Sequence, residues 1–149
     1  MKFVITGLPR TRTAWAAAYF NTCPDTFCYH EATWTKESLD KPYKNVGNAD
    51  SGVILVPDWL TDNPVDKIIV IHRDPEQVKK SLRELGMKGK EGLVDQMVPV
   101  LKRLPGIHIK FEEYNDQLPR IHDYLGIPYD ARKAKVFKDS VVQSIYWRK

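Results

Sequence analysis

Lys2-Phe3-Val4-Ile5-Thr6-Gly7-Leu8-Pro9-Arg10-Thr11-Arg12-Thr13-Ala14-Trp15 takes a compact apolar strand, Lys2–Thr6, straight into a turn that opens a helix. A junction of this kind aims backbone N–H groups and the positive end of a helix dipole outward, which is the physical recipe for holding phosphate. Arg10, Arg12, Thr11 and Thr13 add charge and hydroxyl donors, and guanidinium forks match tetrahedral oxyanions. The plain alternative is a strand–turn–helix whose arginines face solvent.

Outward from this junction, short apolar runs alternate with helical stretches. Helices are predicted over Thr13–Asn21, Pro57–Thr61, Leu93–Leu104 and Leu118–Leu125, the last stopped by Gly126 and Pro128. Asp74 stands as N-cap to a further helix from Pro75 to Leu85. Strands are predicted over Thr26–His30, Ile107–Phe111 and, most strongly, Lys67–His72. Lys41–Gly52 is dense in turn residues and reads as the longest loop, while Ala131–Phe137 and Val141–Trp147 finish the chain. The alternation implies an α/β fold: a single P-loop-type three-layer domain with a central, mainly parallel sheet of four or five strands. Lys2–Thr6 and Lys67–His72 are expected side by side or nearly so, because ligands in such folds sit at the carboxyl ends of the strands.

Composition sets the outer bounds. The chain has 149 residues, 42% of them hydrophobic and 28% charged, which suits one globular domain and excludes disorder, collagen-like repeats and a coiled coil. No apolar run approaches the ~18 residues of a membrane span. No secretory leader is expected either, since Lys2 is followed by only a short apolar run and then Gly7. Cys23 and Cys28 lack a second Cys/His pair, so they read as ordinary thiols of a reducing compartment rather than zinc ligands, and a cytoplasmic location is expected. The net charge of +4 suits an anionic ligand but comes without a Lys/Arg-rich run, so no nucleic-acid partner and no membrane partner are expected.

Against the triphosphate-binding pattern G-x-x-x-x-G-K-[ST] the junction fails at the working positions. Arg12 stands at the second glycine, Thr13 at the lysine, and Ala14 at the hydroxyl that would hold Mg²⁺. The stretch instead resembles the 5′-phosphosulfate loop of sulfotransferases that use 3′-phosphoadenosine-5′-phosphosulfate (PAPS), which runs Pro-(Lys/Arg)-Ser/Thr-Gly-Thr-Thr-Trp or a close variant. Pro9-Arg10-Thr11-Arg12-Thr13-Ala14-Trp15 follows it except that Arg12 replaces Gly and Ala14 replaces Thr.

The likeness continues along the chain. His72-Arg73-Asp74-Pro75 with Ser81 is similar to the family's strand-end Arg and the Ser eight positions later, and the resemblance implies that Arg73 and Ser81 bind the 3′-phosphate. Ile109–Tyr114 and Pro119…Ile121…Tyr124-Leu125-Gly126 resemble the later Tyr-Glu-Asp-Leu and Pro…Ile…Phe-Leu-Gly segments. Arg148 and Lys149 are similar to a late Arg-Lys-Gly segment that grips the same phosphate.

The resemblance implies a single sulfotransferase-like domain with PAPS as donor co-substrate, no metal, and a small-molecule, glycan or phenol hydroxyl as acceptor. Sulfuryl transfer needs a base for the acceptor proton and positive charge near the leaving oxygen. Gly52–Leu60 resembles the segment in which cytosolic members carry a catalytic His, but it holds none. Other branches use a Glu near the end of strand two, which makes Glu31 the candidate base, His30 the alternative, and Arg10 the charge stabiliser. Neighbours on a strand point to opposite faces, so only one of the two is expected to face the site. The alternative is a nucleotide-binding module without transfer activity; a P-loop kinase is opposed by the absent Lys and hydroxyl, and nucleic-acid binding has only the basic pI in its favour.

Overall fold

The computed structural model describes residues 1–87, 89–138 and 140. The expectations for Val141–Trp147, Arg148 and Lys149 lie outside the described residues. Five strands, β1 (Lys2–Gly7), β2 (Thr26–His30), β3 (Asn45–Ala49), β4 (Lys67–His72) and β5 (Ile107–Lys110), form one parallel sheet in the order β2-β3-β1-β4-β5. The strands alternate with α1 (Thr13–Phe20), α2 (Ala32–Thr35), α3 (Pro57–Asp62), α4 (Pro75–Glu84), α5 (Glu91–Lys102), α6 (Leu118–Leu125) and α7 (Ala131–Lys138).

Strand alternation sorts the core into two faces. Phe3, Ile5, Ile69, Ile71 and Ile109 pack with Trp15, Phe20, Leu118, Ile121 and Ala134, from α1, α6 and α7. On the other face Val4, Val46 and Val70 meet Trp59 of α3, Val78 and Leu82 of α4, and Val94 and Met97 of α5. The result is a three-layer α/β domain. Among the described residues no helix is long and apolar enough to cross a membrane.

β1 and β4 are direct neighbours, with Phe3 opposite Lys67 and Gly7 opposite Ile71. The chain leaves β1 into α1 on one face and leaves β4 into α4 on the other, so the two connections diverge. That divergence opens a crevice at the carboxyl edge between them, the place where such sheets bind ligands. Asp74 caps α4 as its sequence implies, Asp74 Oδ1 accepting from the Glu76 N–H at 2.9 Å. Gly126 ends α6 in the left-handed conformation at φ 70.

The sequence expectation of one long loop over Lys41–Gly52 needs correcting, because β3 lies inside it. Asn45-Val46-Gly47-Asn48-Ala49 is poor in β-formers, yet every residue of it is buried. Tertiary partners outweigh the local signal. A Cβ at Gly47 would fall 2.3 Å from Phe3 Cζ, so the glycine is what lets the Phe3 ring lie across the strand. Asn48 stays satisfied by accepting from the Ala32 N–H at 3.1 Å.

Candidate functional site

The loop after β1 turns back on itself through left-handed residues at Arg10, φ 67, and Arg12, φ 63. Such turns gather successive N–H groups into an anion-binding concavity. Of the five non-glycine residues with positive φ among those described, Arg10, Arg12 and Glu31 all border this edge of the sheet. Each costs of order 1–3 kcal/mol, and strain of this kind gathers at ligand clamps. Thr11 is buried and pins the turn, its Oγ1 donating to the Leu8 carbonyl at 2.7 Å.

Arg10, Arg73 and Ser81 are brought into direct contact. Arg10 Nε donates to Ser81 Oγ at 3.1 Å, and one Arg73 terminal nitrogen donates to the Arg10 carbonyl at 2.7 Å. The Arg73 guanidinium lies over the Phe111 ring at 4.3 Å, a cation–π contact. Arg73 Nε is buried without a hydrogen-bond partner among the described residues. Burial lowers the Arg73 pKa, the neighbouring Arg10 charge lowers it further, and Glu112 partly offsets both. A half-buried guanidinium with an unmatched N–H beside a second cation fits a dianionic phosphate.

Arg12 and Trp15 face elsewhere. The Arg12 guanidinium stacks on Trp15 at 4.2 Å and donates to Asn115 Oδ1 at 2.8 Å and to the Lys138 carbonyl at 3.2 Å. Trp15 is buried in the core and donates its indole N–H to the Phe137 carbonyl at 2.7 Å. Ala14 is buried in the first turn of α1. Only the backbone of these positions is left at the crevice, whose polar side chains come from Arg10, Arg73 and Ser81.

His30 and Glu31 come together rather than facing apart. β2 ends at His30, and Glu31 follows with φ 61, which breaks the strand alternation. His30 Nε2 lies 4.0 Å from Glu31 Oε1 and 3.2 Å from Thr13 Oγ1. Burial pushes the His30 pKa down, against the pull of the Glu31 and Asp50 charges. Glu31 is the outer member of the pair. It lines a cleft of about 250 Å³ shared with Pro9, Arg10 and Ser51 and otherwise walled mainly by apolar side chains.

Behind that cleft, Asp50 is fully buried and accepts from four donors. These are the Thr33 N–H (3.1 Å), the Thr33 hydroxyl, the Gly52 N–H (2.7 Å) and Asn48 Nδ2 (3.4 Å). The carboxylate ties the end of β3 to the start of α2 and so positions both Glu31 and Trp34. Sequence reasoning missed Phe111, Trp34, Gly52 and Leu85. Phe111 carries no signal in the sequence, whereas an apolar Leu85 at the polar end of α4 does. The chain matches no family model and no curated protein sequence.

Proposed function

We propose that this protein is a sulfotransferase that moves a sulfuryl group from PAPS to a hydroxyl acceptor. The observation that carries the proposal is the meeting of Arg10, Arg73 and Ser81 in the β1–β4 crevice, next to a cleft that presents Glu31. In this reading the loop backbone and Arg10 hold the 5′-phosphosulfate, while Arg73 and Ser81 hold the 3′-phosphate. The acceptor oxygen attacks sulfur and the bond from sulfur to the bridging phosphate oxygen breaks. The hydroxyl proton passes to Glu31, and adenosine 3′,5′-bisphosphate leaves. Arg10 offsets the charge that grows on the bridging oxygen. His30 sits behind Glu31, its pKa lowered by burial and its Nε2 in contact with Thr13 Oγ1 at 3.2 Å.

The test is a transfer assay with PAPS and a panel of phenols, alcohols and sugars. A positioned base contributes about 10²–10⁴-fold, so Glu31→Gln lowers the rate by that factor and leaves bisphosphate affinity unchanged. Full rate in Glu31→Gln with loss in His30→Ala would move the base to His30. Tight bisphosphate binding with no turnover of any acceptor would make the chain a nucleotide-binding module, the reading favoured by the commitment of Arg12 and Trp15 to internal contacts.

A further inference from the structure

Of the eight large apolar side chains exposed among the described residues, four converge on one cleft. Trp34 (56% exposed), Leu85 (51%), Met87 (44%) and Leu55 all line the cleft beside Arg10 and Glu31. Exposed apolar groups that converge on one concave site beside a few polar groups mark a ligand surface rather than chance. The floor of the cleft is apolar too, supplied by Leu82 and Met97 of the core.

Trp34 forms one wall, and its placement is built in. A Cβ at Gly52 would lie 2.6 Å from Trp34 Nε1 and 2.7 Å from two carbons of the same ring, so the indole rests flat on a backbone that only glycine keeps clear. Gly52 is itself fixed through its N–H to Asp50. A flat wall of this kind favours a flat ligand, since aromatic rings gain from offset stacking beyond the area they bury. At about 250 Å³ the cleft falls just under the ~300–1,000 Å³ of sites for drug-sized molecules, which limits the occupant to one or two rings.

Resting on the sulfotransferase reading, we infer that the acceptor is a small aromatic alcohol of the phenol or naphthol type. Its ring lies between Trp34 and Leu85, and its hydroxyl points to Glu31 and Arg10. A sugar would bring several hydroxyls against the apolar side chains of Leu55, Leu85, Met87 and Leu93, and a hydroxyl buried without a partner is disfavoured. The polar side chains of the lining are Arg10, Glu31, Ser51 and Lys90, and the single hydroxyl is assigned to Arg10 and Glu31.

Binding of 2-naphthol, N-acetylglucosamine and adenosine 3′,5′-bisphosphate, each alone, tests this by Trp fluorescence and calorimetry. The inference predicts that 2-naphthol binds, that the sugar does not, and that Trp34→Ala and Leu85→Ser each weaken 2-naphthol by about tenfold while bisphosphate affinity holds. Both substituted positions are exposed, so the fold tolerates the changes. Absence of 2-naphthol binding, or affinity unchanged in both variants, overturns the inference whatever the nucleotide does. Binding of 2-naphthol with no bisphosphate binding supports the apolar aromatic site and instead removes the sulfotransferase reading.

Discussion

Arg12 occupies left-handed backbone at φ 63, where a side chain costs roughly 1–2 kcal/mol that a glycine does not. Its guanidinium recovers part of that cost by stacking on Trp15 and bonding Asn115 and the last carbonyl of α7. Two substitutions separate these effects. Arg12→Ala loses the contacts and keeps the strain, whereas Arg12→Gly loses the contacts and relieves it. The alanine variant is therefore less stable than the glycine variant by about 1 kcal/mol, read as the difference in urea midpoints. Equal midpoints would contradict the strain. The sequence made this position conspicuous, because Arg stands where the sulfotransferase loop has Gly. It did not show where the guanidinium goes, since Asn115 and Lys138 are more than a hundred residues away along the chain.

At the scale of elements, the strap from β3 through Asp50 to α2 sets the cleft wall. Asp50→Ala strands buried donors from Thr33 and Gly52, at roughly 1–3 kcal/mol for each unsatisfied group. A loss of at least about 2 kcal/mol is expected, against less than about 0.5 kcal/mol for the exposed Asp58→Ala. A denaturation series that finds the two variants alike would show that the clamp carries little. The elements legible in the sequence were those whose local signals agree with their tertiary setting. β4 carries the unbroken apolar run Ile68–Ile71, of which Ile69, Val70 and Ile71 are buried on both faces of the sheet; α4 has its Asp74 cap and Pro75 where a helix start requires them. β3 was illegible because its reason for being a strand lies in Phe3, which needs Gly47, and in the backbone N–H groups that Asn48 and Asp50 satisfy. The cleft was illegible for a related reason: Trp34, Gly52 and Leu85 belong to three separate segments and meet only in the folded chain.

Across the whole molecule, one buried histidine, His122, and two half-buried ones, His30 and His72, give stability a common pH dependence. Burial is the main force holding His30, His72 and His122 below their ordinary pKa of 6.5. His72 is held down further by its stacked neighbour His108, whose Nδ1 lies 2.6 Å from His72 Nε2. The folded chain thus binds fewer protons than the unfolded chain between those lowered values and 6.5. Stability is complete above about pH 6.5 and falls as the pH drops through that window. Urea midpoints should decline from about pH 7 to about pH 5, and His122→Gln should flatten the decline. A midpoint that holds or rises on acidification would contradict the burial of these rings.

The central claim is that the β1–β4 crevice reads two phosphates, with Arg73 on the 3′ side. Calorimetric titration of adenosine 3′,5′-bisphosphate and of AMP into the unsubstituted protein and into Arg73→Ala, without Mg²⁺, addresses it directly. A charge-assisted hydrogen bond of ~1.5–3 kcal/mol gives the bisphosphate at least about a tenfold advantage over AMP in the unsubstituted protein. Arg73→Ala should erase that advantage by weakening the bisphosphate about tenfold or more while AMP barely changes. Equal affinity for the two nucleotides, or equal losses for both in Arg73→Ala, would show that this edge of the sheet does not recognise a 3′-phosphate.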